Sequence, residues 1–577
     1  MSRVLARLDM GNIAYFSMDV AIDSSIPTYS GGLGILAGDT LRSAADLEAP
    51  IVAVTLLHRK GYFDQHLDSK GNQLETPSKW SPEDHLTPLS PQVTISIEDR
   101  EVRVRVWQYL FRGITGHAVP LLFLDTNLEE NDPRDRALTD HLYGGDDHYR
   151  LCQEAVLGFG GVAVLRALGY HVRLFHMNEG HSALITLALL EEQAGARPGY
   201  GFSETHVELV RRQCVFTTHT PVPAGHDRFR AELVRQVIGE KRAGTLLQIG
   251  VMNGELNMTE LALRFSGFVN GVSMRHGEVS RGMFPGYKIK AITNGVHAVT
   301  WASAPFAELY DQRMPEWRRD NCYLRYAVGI PVAEIRQAHR QAKQDLLQQV
   351  RWISGTQLDE KIFTLGFARR ATEYKRADLL FSDIERLKQI ARQVGPLQLI
   401  YAGKAHPRDQ AGKAIIRRIF EAAAALANDV RVVYLENYDM ALGKLLCSGV
   451  DVWLNTPLRP QEASGTSGMK AALNGVPSFS VIDGWWVEGH IEGVTGWSIE
   501  APDGVENSSM AEAVCLYDKL EHVILPLFYR EPDKFAEIMR SAVAFNGSFF
   551  NTQRMLSQYL RNAYAFARSN GSRQPLA

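Results

Sequence analysis

Short apolar segments alternate with longer amphipathic segments along most of this 577-residue chain. The apolar segments are bounded by Gly, Asn or His and are typical of buried strands: Ile51–Leu57, Leu121–Leu124, His171–Phe175, Cys214–Thr217, Ile289–Ile292, Ile362–Phe367, Leu397–Tyr401, Val430–Leu435, Val452–Asn455 and Ser478–Ile482. Helical periodicity marks the segments between many of them: Gln153–Leu168, Ser182–Gln193, Ile335–Val350, Leu379–Gln393, Ala411–Ala427 and Met440–Leu446. Strands that alternate with helices form parallel sheets covered by helices on both faces. The pattern therefore predicts an α/β fold.

A break in this alternation indicates two domains. Residues Ala302–Arg319 are predicted to be irregular and polar, and a new series of strands and helices begins at Lys361. We place the boundary near Pro305, which divides the chain into residues 1–305 and 306–577. The second part ends in a helical segment over Ala511–Arg568. Two doubly wound domains are expected to face each other across a cleft, with ligands at the carboxyl ends of the strands.

Composition excludes several classes of function. The chain has 62 Lys and Arg against 65 Asp and Glu, a formal net charge of −3, and no basic stripe, so nucleic acid is not an expected partner. Its five cysteines are scattered and contain no CxxC pair, which argues against a disulfide framework and for the cytoplasm. No apolar run approaches the roughly 18 residues of a membrane span, and no membrane insertion is expected.

The segment Glu462–Gly475 combines small and hydroxyl residues with a lysine. It follows the strand Val452–Asn455 and opens into a helix, so backbone N–H groups surround the loop and form a seat for an anion. Lys470 lies about one turn past the loop. Its amine could hold an aldehyde cofactor as a Schiff base beside a bound phosphate. A solvated helix lysine after a tight turn is the alternative.

A second candidate anion site follows the apolar strand Ile362–Phe367. The segment Gly366–Arg376 places four cations within eight residues: Arg369, Arg370, Lys375 and Arg376. At the carboxyl end of a strand, such a cluster suits one or two phosphates, since arginine offers a fork and lysine a point charge. An exposed basic loop is the alternative. Two independent anion sites at one edge of the same sheet support each other.

Three further segments give weaker signals. Tyr29–Asp39 is a glycine-rich loop that enters a helix and contains Gly32, but it is equally compatible with a tight turn. His219 follows the strand Cys214–Thr217, where it either contacts sugar hydroxyls or completes a turn. His176–His181 also follows a strand, but its spacing is not HExxH, so neither a zinc protease nor another metal site is expected.

Taken together, these segments resemble the α-glucan phosphorylases, the glycogen and maltodextrin phosphorylases of glycosyltransferase family 35. EASGTSGMKAALNG resembles the family's pyridoxal-phosphate lysine segment, RRATEYKR its phosphate-handling segment and SGGLG its N-terminal glycine loop. TTHTP, TNGV and LYGGD agree in order, so the resemblance extends from Tyr15 to about Tyr564. The lysine and EYKR segments are highly specific as a pair. The chain is similar to a short form of this family.

The resemblance implies a GT-B arrangement of two Rossmann-like domains, with pyridoxal 5'-phosphate on Lys470. In such enzymes the phosphate of the cofactor acts as acid and base beside inorganic phosphate. The reaction is phosphorolysis of α-1,4-glucan or maltooligosaccharide from the non-reducing end, and it gives α-D-glucose 1-phosphate with retention of configuration. The resemblance also allows a homodimer. The chain begins almost at its first strand and lacks the N-terminal extension that carries phosphorylation control in animal members of the family. We therefore expect no such control here, and no allosteric control.

The resemblance assigns roles residue by residue. The catalytic set is expected to be Lys470, Arg370, Lys375 and His219. The cofactor phosphate is matched to Arg369, Thr466 and Ser467, and the substrate phosphate to Arg370, Lys375 and the backbone at Gly32. The glucose-binding set is matched to His219, Asn294, Glu462, Ser464 and Gly465, and Asp146 in the gate loop is also expected to bind substrate.

Some positions depart from better-known family members. Asp19 replaces a Glu, the loop Gly144–Asp147 replaces a different gate, and Trp485 and Trp486 replace small or polar residues. These departures leave acceptor binding and gate contacts open.

Three other functions are compatible with parts of the pattern. A nucleotide-sugar glycosyltransferase would carry a second glutamate eight positions after Glu462 to meet the ribose, and here that position is Lys470. A catalytically silent glucan-binding protein would be expected to lose Lys470, Arg370 or Lys375, and all are present. A phosphorylase of another glucoside would keep the fold and the cofactor.

Overall fold

A computed structural model describes residues 11–195, 202–222, 225–502 and 508–565. The described residues form two compact units. The first contains residues 11–62, 77–293 and 555–565, and the second contains residues 63–76 and 294–554.

This division differs from the predicted boundary at Pro305, because the second unit already begins at Asn294. The segment predicted to be irregular is wrong in its centre, where Ala304–Arg313 form a helix. Pro305 lies in its first turn, where a missing N–H costs nothing. Tyr310 is fully buried, and its hydroxyl donates to the carbonyl oxygen of Leu473 at 2.7 Å, which ties this helix to the second unit.

Two segments belong to units that their position in the chain does not suggest. Phe63–Thr76 contains the hairpin strands Asp64–Leu67 and Gln73–Thr76 and belongs to the second unit. Its Gln65 exchanges two hydrogen bonds with Asn437, at 3.1 and 3.0 Å. The predicted C-terminal helical segment is divided between the two units, because residues 555–565 belong to the first unit.

The first unit is built on a nine-stranded sheet. In spatial order its strands are Ile289–Ala291, Phe268–Gly271, Cys214–Thr217, Val172–Asn178, Asn12–Ser17, Ile51–Leu56, Ala118–Asp125, Arg100–Arg112 and Thr87–Ile97. The first seven are parallel and the last two extend the sheet in antiparallel fashion. A small antiparallel sheet adds Arg228–Arg230, Glu255–Asn257 and Met252–Asn253.

Helices accompany this sheet in the chain. They are Gly32–Asp46, Pro133–Arg136, Asp147–Ala155, Gly161–Ala167, Ile185–Ala194, Glu204–Arg211, Ala231–Ile238, Glu240–Gln248, Met258–Arg264 and Met274–Met283. A π-helical turn, Val156–Gly160, joins the third and fourth, so the helix predicted over Gln153–Leu168 is continuous but not regular. Short 3₁₀ turns occupy Pro82–Asp84, Ala137–Thr139 and Gly180–Ser182.

The second unit is built on a six-stranded parallel sheet. In spatial order its strands are Arg431–Leu435, Leu397–Ala402, Phe363–Ala368, Val452–Asn455, Ser478–Val481 and Gly496–Ile499. Numbered along the chain, this order is 3-2-1-4-5-6, which is the order of doubly wound dinucleotide-binding sheets. The parallel part of the first sheet follows the same rule, because its first strand lies between its second and its fourth.

Helices and helical turns make up much of the rest of this unit. The α-helices are Ala298–Trp301, Ala304–Arg313, Val332–Ser354, Ile384–Gln393, Gln410–Leu426, Met440–Gly449, Thr466–Leu473, Trp486–Gly489, Ser508–Lys519, Leu525–Arg530, Pro532–Ser541 and Thr552–Gln558, the last of which contains the unit boundary. The 3₁₀ turns are Asn321–Gly329, Glu373–Lys375 and Leu379–Phe381, and the π turns are Leu520–Ile524, Ala542–Gly547 and, in the first unit, Tyr559–Ala563.

The predicted α/β class is confirmed. The sequence pattern missed five strands of the two sheets: Asn12–Ser17, Thr87–Ile97, Arg100–Arg112, Phe268–Gly271 and Gly496–Ile499. The first of these lies in the centre of the first sheet. Within the described residues, no helix is both long and apolar enough to cross a membrane.

Candidate functional site

The site in the second unit lies where its strand order reverses. Phe363–Ala368 and Val452–Asn455 are neighbours in the sheet, and the chain leaves their carboxyl ends toward opposite sides. Ligands of open parallel sheets bind in the crevice at such a point. Arg369 and Lys375 follow the first of these strands, and Glu462 follows the second. The topology therefore brings two segments from distant parts of the chain to one place.

The carboxylate of Glu462 is the centre of this site. The Nζ atom of Lys375 lies 2.9 and 2.7 Å from its two oxygens, and Nη2 of Arg369 lies 2.6 Å from Oε2. Glu462 and Lys375 are buried, and the Arg369 side chain is 8% exposed. We call these three residues the Glu462 cluster. With two cations and one carboxylate, the Glu462 cluster carries a net positive charge.

The pKa of Glu462 reflects this environment. Burial raises the pKa, but the charges of Arg369 and Lys375 outweigh burial and lower it to about 2. Glu462 is therefore ionised at neutral pH and can only accept hydrogen bonds. The backbone N–H of Glu462 donates to Oδ2 of the buried Asp483 at 2.9 Å, which fixes the loop.

Several polar atoms beside the Glu462 cluster are buried without a hydrogen-bond partner in the described residues. They are Arg369 Nη1, Ser464 Oγ and Asn455 Oδ1. Leaving a buried donor or acceptor unpaired costs about 1–3 kcal/mol each. These atoms lie at or after the carboxyl ends of two neighbouring strands, where a bound group would satisfy them. A ligand with phosphate oxygens and hydroxyls has the matching chemistry.

A helix begins directly after these residues, at Thr466–Leu473. Gly465 caps it at φ +81°, a left-handed conformation that favours glycine. A Cβ atom at this position would lie 3.2 Å from Cδ of Glu462. Thr466 and Ser467 form the first turn, and Ser467 Oγ accepts a hydrogen bond from the Trp453 indole N–H at 3.1 Å. The first turn is thus held beside the Glu462 cluster.

Lys470 lies on the buried side of this helix and is only 7% exposed. Its Nζ atom lies 3.6 Å from the centroid of the Trp301 ring. The side chain of Asn474 donates to the backbone carbonyls of both Lys470 and Trp301, each at 2.9 Å. These contacts contradict the alternative of a solvated helix lysine. Trp301 is a site residue that the sequence analysis missed, because nothing in its local sequence connects it to Lys470.

Two departures from the resembled family have a clear structural setting. Trp485 and Trp486 are each 1% exposed. The backbone N–H of Trp485 donates to the Ser464 carbonyl at 2.9 Å, and its ring backs the helix, since a Cβ at Gly468 would lie 2.7 Å from Cζ2. Trp485 therefore supports the loop and helix around the Glu462 cluster, and Trp486 packs against Trp485 with ring centroids 5.1 Å apart.

The remaining predicted residues of this unit are less enclosed or less connected. Arg370 is exposed just after its strand. Burial raises the pKa of Tyr374, but the charge of Lys375, with a smaller contribution from Arg370, lowers it below its ordinary value. Asn294 is buried, and its Oδ1 has no hydrogen-bond partner in the described part of the chain. Its carbonyl oxygen accepts from Arg554 at 2.8 Å.

In the first unit, His219 is held by the last residue of the strand Val172–Asn178 and by the residue that follows it. Its Nε2 lies 2.7 Å from Asn178 Oδ1, and its backbone N–H donates to Oε2 of Glu179 at 2.7 Å. The same oxygen accepts from the Thr220 hydroxyl at 3.0 Å. Burial lowers the pKa of His219 to about 4, so its ring is neutral at pH 7. A neutral imidazole suits hydrogen bonding to hydroxyls.

Glu179 adopts strained backbone angles, φ +76° and ψ 167°, which favour glycine. It is 6% exposed, and three backbone or hydroxyl donors meet its carboxylate. Backbone strain of this kind persists where many surrounding contacts fix the conformation of a residue, which is common at functional sites. The sequence analysis considered this segment only as a metal motif and missed the role of Glu179 in positioning His219.

A second network in this unit links the glycine loop to the gate loop. Asp19 accepts from the Ser30 backbone N–H and from the Tyr143 hydroxyl, both at 3.2 Å. Arg150 lies 4.6 Å from the centroid of the Tyr143 ring and donates to Asp227 at 3.0 Å. The departure at Asp19 therefore preserves a buried carboxylate that orders both loops.

Two predicted residues of this unit lie at helix termini. Gly32 is the exposed first residue of the helix Gly32–Asp46. Asp146 is exposed, and its carboxylate caps the helix Asp147–Ala155 by accepting the Tyr149 N–H at 2.9 Å. The structure therefore gives Asp146 a capping function at this helix.

Asp19 makes stability depend on pH. Burial raises its pKa to about 6, against the opposing hydrogen bonds from Ser30 and Tyr143. The folded state then binds a proton more tightly than the unfolded state, so stability falls as the pH rises from about 4 to 6. We expect the free energy of unfolding of Asp19→Asn to exceed that of wild type at pH 7.5 by up to about 3 kcal/mol, which also raises its thermal midpoint. Below pH 4 this difference should disappear.

Calorimetry across this pH range tests the prediction. Asp23→Asn, an exposed aspartate of the following loop, is the matched control. A pH-independent difference between Asp19→Asn and wild type would show that Asp19 is not the titrating group.

Within the described ranges, no group of three or more His, Cys, Asp or Glu side chains is arranged to hold a metal ion.

Comparison with known proteins gives a consistent result. The family model described as carbohydrate phosphorylase matches residues 203–494. The chain is 37% identical to maltodextrin phosphorylase of Thermococcus litoralis, over 97% of this chain and 71% of that protein. It is 38% identical to glycogen phosphorylase of Mycobacterium tuberculosis, over 96% and 70%, and 34% identical to glycogen phosphorylase of Aquifex aeolicus, over 96% and 86%.

Proposed function

The chain belongs to the carbohydrate phosphorylase family, and on that premise we propose that it cleaves α-1,4-glucan with inorganic phosphate. The reaction starts at the non-reducing end and yields α-D-glucose 1-phosphate with retention of configuration. The observation that carries this proposal is the Glu462 cluster, where two buried cations and an ionised carboxylate adjoin the helix of Lys470.

Members of this family use pyridoxal 5'-phosphate, and the residues of the second unit fit it. Lys470 is a buried primary amine, the group that would bind its aldehyde. The unpartnered Nη1 of Arg369, together with Thr466 and Ser467 in the first helical turn, fits its phosphate. When bound, the cofactor supplies a phosphate group that can give and take a proton. Trp301 and the bonds of Asn474 keep the lysine oriented.

The chain's own residues would hold the substrates. Arg370 and Lys375 are assigned to inorganic phosphate, with Gly32 contributing a backbone N–H. Two phosphate groups in one site repel each other strongly, and fixed cations offset that repulsion. Because Glu462 is ionised, it accepts hydrogen bonds from sugar hydroxyls and cannot act as an acid. Asn294, Ser464, Gly465 and neutral His219 are assigned to the same sugar, and Asp146 to the glucan.

Retention without a pair of carboxylates distinguishes this site from a glycoside hydrolase. In the Glu462 cluster the single carboxylate is neutralised by Arg369 and Lys375, so it is a poor nucleophile. An oxocarbenium-like transition state would be stabilised by the phosphate bound beside it. The proposal also includes a GT-B arrangement of Rossmann-like units, a homodimer and a cytoplasmic location.

The direct test is product analysis. Purified enzyme reconstituted with pyridoxal phosphate is incubated with maltoheptaose and inorganic phosphate. We expect glucose 1-phosphate, and its anomeric proton should identify the α-anomer by NMR. Replacing phosphate with sulfate should give no sugar phosphate.

The negative outcomes separate the alternatives. Turnover of other glucosides but not of maltoheptaose would keep the cofactor chemistry and change the substrate. Transfer from a nucleotide-sugar donor without phosphate would favour a glycosyltransferase of the synthase type.

A further inference from the structure

The second unit contains a cavity of about 450 Å³ away from the candidate site. Three helices line it: Val332–Ser354, Leu525–Arg530 and Pro532–Ser541. Glu360 and Lys361 complete the wall just before the strand Phe363–Ala368, whereas Arg369 follows that strand. The cavity therefore lies at the amino ends of the strands, whereas the Glu462 cluster lies at their carboxyl ends, about 25 Å away along the strand direction. Its volume is typical of a small-molecule site, about 300–1,000 Å³.

A buried ion cluster forms the back of the cavity. Lys343 Nζ lies 2.6 Å from Asp451 Oδ2, and His339 Nε2 lies 3.0 Å from Asp451 Oδ1. Asp451 also accepts the backbone N–H of Thr364 at 2.7 Å, and Lys343 donates to the carbonyl of Ile362 at 2.8 Å. These bonds fix the side chains, so the back wall is preorganised for a ligand.

His339 contributes one unused polar atom. The residue is only 7% exposed, and its Nδ1 has no hydrogen-bond partner among the residues that the structure describes. Because His339 lines the cavity, a bound polar group is the simplest partner for this atom.

The rim carries positive charge. Arg340 and Lys361 line the cavity, and within the described residues neither side chain makes an ion pair. The other rim arginine, Arg336, donates to Asp533 at 2.7 Å. Among the described lining residues, two are acidic: Glu360 at the rim and the buried Asp451 at the back. The two cations without ion pairs suit an anionic ligand with more than one oxygen.

The opposite wall is aromatic and rigid. The hydroxyl of Tyr529 accepts the Phe363 N–H at 3.0 Å and donates to the Pro396 carbonyl at 2.5 Å. Phe528 packs edge-on against both Tyr529 and Phe535, with ring centroids 4.9 and 5.3 Å apart. Both Phe528 and Tyr529 line the cavity and offer apolar ring surface to a ligand.

We propose that this cavity is a second ligand site, which binds a small aromatic phosphate: a flat ring joined to one or more phosphate groups, as in a nucleotide. Arg340 and Lys361 hold the phosphate, and His339 Nδ1 bonds a polar atom of the ligand. Phe528 and Tyr529 contact the ring. This proposal stands apart from the proposed function, because none of these residues belongs to the Glu462 cluster.

Titration calorimetry with ADP tests the proposal. We expect wild-type protein to bind ADP, and to bind adenosine or inorganic phosphate alone more weakly. Arg340→Gln combined with Lys361→Gln should weaken ADP binding at least tenfold, and Phe528→Ala should also weaken it. Arg351→Gln, an exposed arginine about 16 Å further along the same helix, is the charge-matched control and should leave the affinity unchanged.

Two results would overturn the proposal. One is the absence of ADP binding to folded wild-type protein at concentrations up to about 5 mM, since any dissociation constant would then lie above that value. The other is loss of binding in Arg370→Gln with full binding in the double rim variant, because ADP would then occupy the candidate site. Thermal midpoints confirm that each variant is folded. Since the readout is binding and not turnover, either result leaves the proposed function untouched.

Discussion

Lys470→Ala should yield folded protein that no longer retains pyridoxal phosphate after borohydride treatment and gel filtration. In wild type, reduction should fix the cofactor to Lys470, which peptide mass spectrometry would detect. Turnover of maltoheptaose should fall on the order of 10³-fold or more, because the alanine removes the attachment point of a group on which the reaction depends. The buried position of Lys470 over Trp301 makes this amine, rather than an exposed lysine, the expected site.

Two variants separate chemistry from packing. Lys470→Arg keeps a cation over Trp301 but has no primary amine, so it should remain stable and still lose the fixed cofactor. Lys388→Ala, in the helix Ile384–Gln393, is the control and should behave as wild type. Full activity in Lys470→Ala without an added amine, or borohydride labelling of a different lysine, would refute the assignment.

Glu462→Gln should destabilise the second unit by about 3–5 kcal/mol, because it leaves Arg369 and Lys375 as buried cations without a counter-charge. The shape of the side chain is kept, so the effect reports charge. We also expect phosphate or sulfate to raise the thermal midpoint of this variant more than that of wild type, since an anion replaces the lost carboxylate. Turnover of maltoheptaose should also be lower in Glu462→Gln than in wild type.

The pH dependence has a defined sign. The folded pKa of Glu462, about 2, lies below its ordinary value. Its stabilising contribution is therefore complete above about pH 4.5 and is lost as the pH falls toward 2. The difference between wild type and Glu462→Gln should shrink over that window. Glu421→Gln, on the exposed face of the helix Gln410–Leu426, should show no such difference. Equal stability of Glu462→Gln and wild type at pH 7 would contradict the charge balance described for the cluster.

The sequence located the second-unit candidate residues but not their mutual contacts. Apolar runs placed Arg369 and Glu462 after two strands, and the glycine-rich segment placed Lys470 on a helix. Their separation in the chain gave no measure of the 2.6 Å contact between Arg369 and Glu462. The contact follows from the strand order, in which Phe363–Ala368 and Val452–Asn455 are neighbours.

Other site residues carried no usable local signal. Trp301 is one aromatic residue in a short helix, and Glu179 differs from any buried acid only by its backbone angles. The central strand Asn12–Ser17 was missed because it stands near the chain start without a preceding helix to complete the alternating pattern. In each case the informative partner lies far away in the chain.

The sequence by itself determined the α/β class, most strand positions of both sheets and the placement of Lys470 on a helix after a glycine-rich loop. Those features are local, because periodicity and turn chemistry depend on residues only a few positions apart. Only the tertiary structure decided that the unit boundary lies before Asn294, that Phe63–Thr76 joins the second unit, and that Lys470 is buried against Trp301. Burial and ion pairing depend on which segments meet, and that choice is made by the packing of whole sheets and helices.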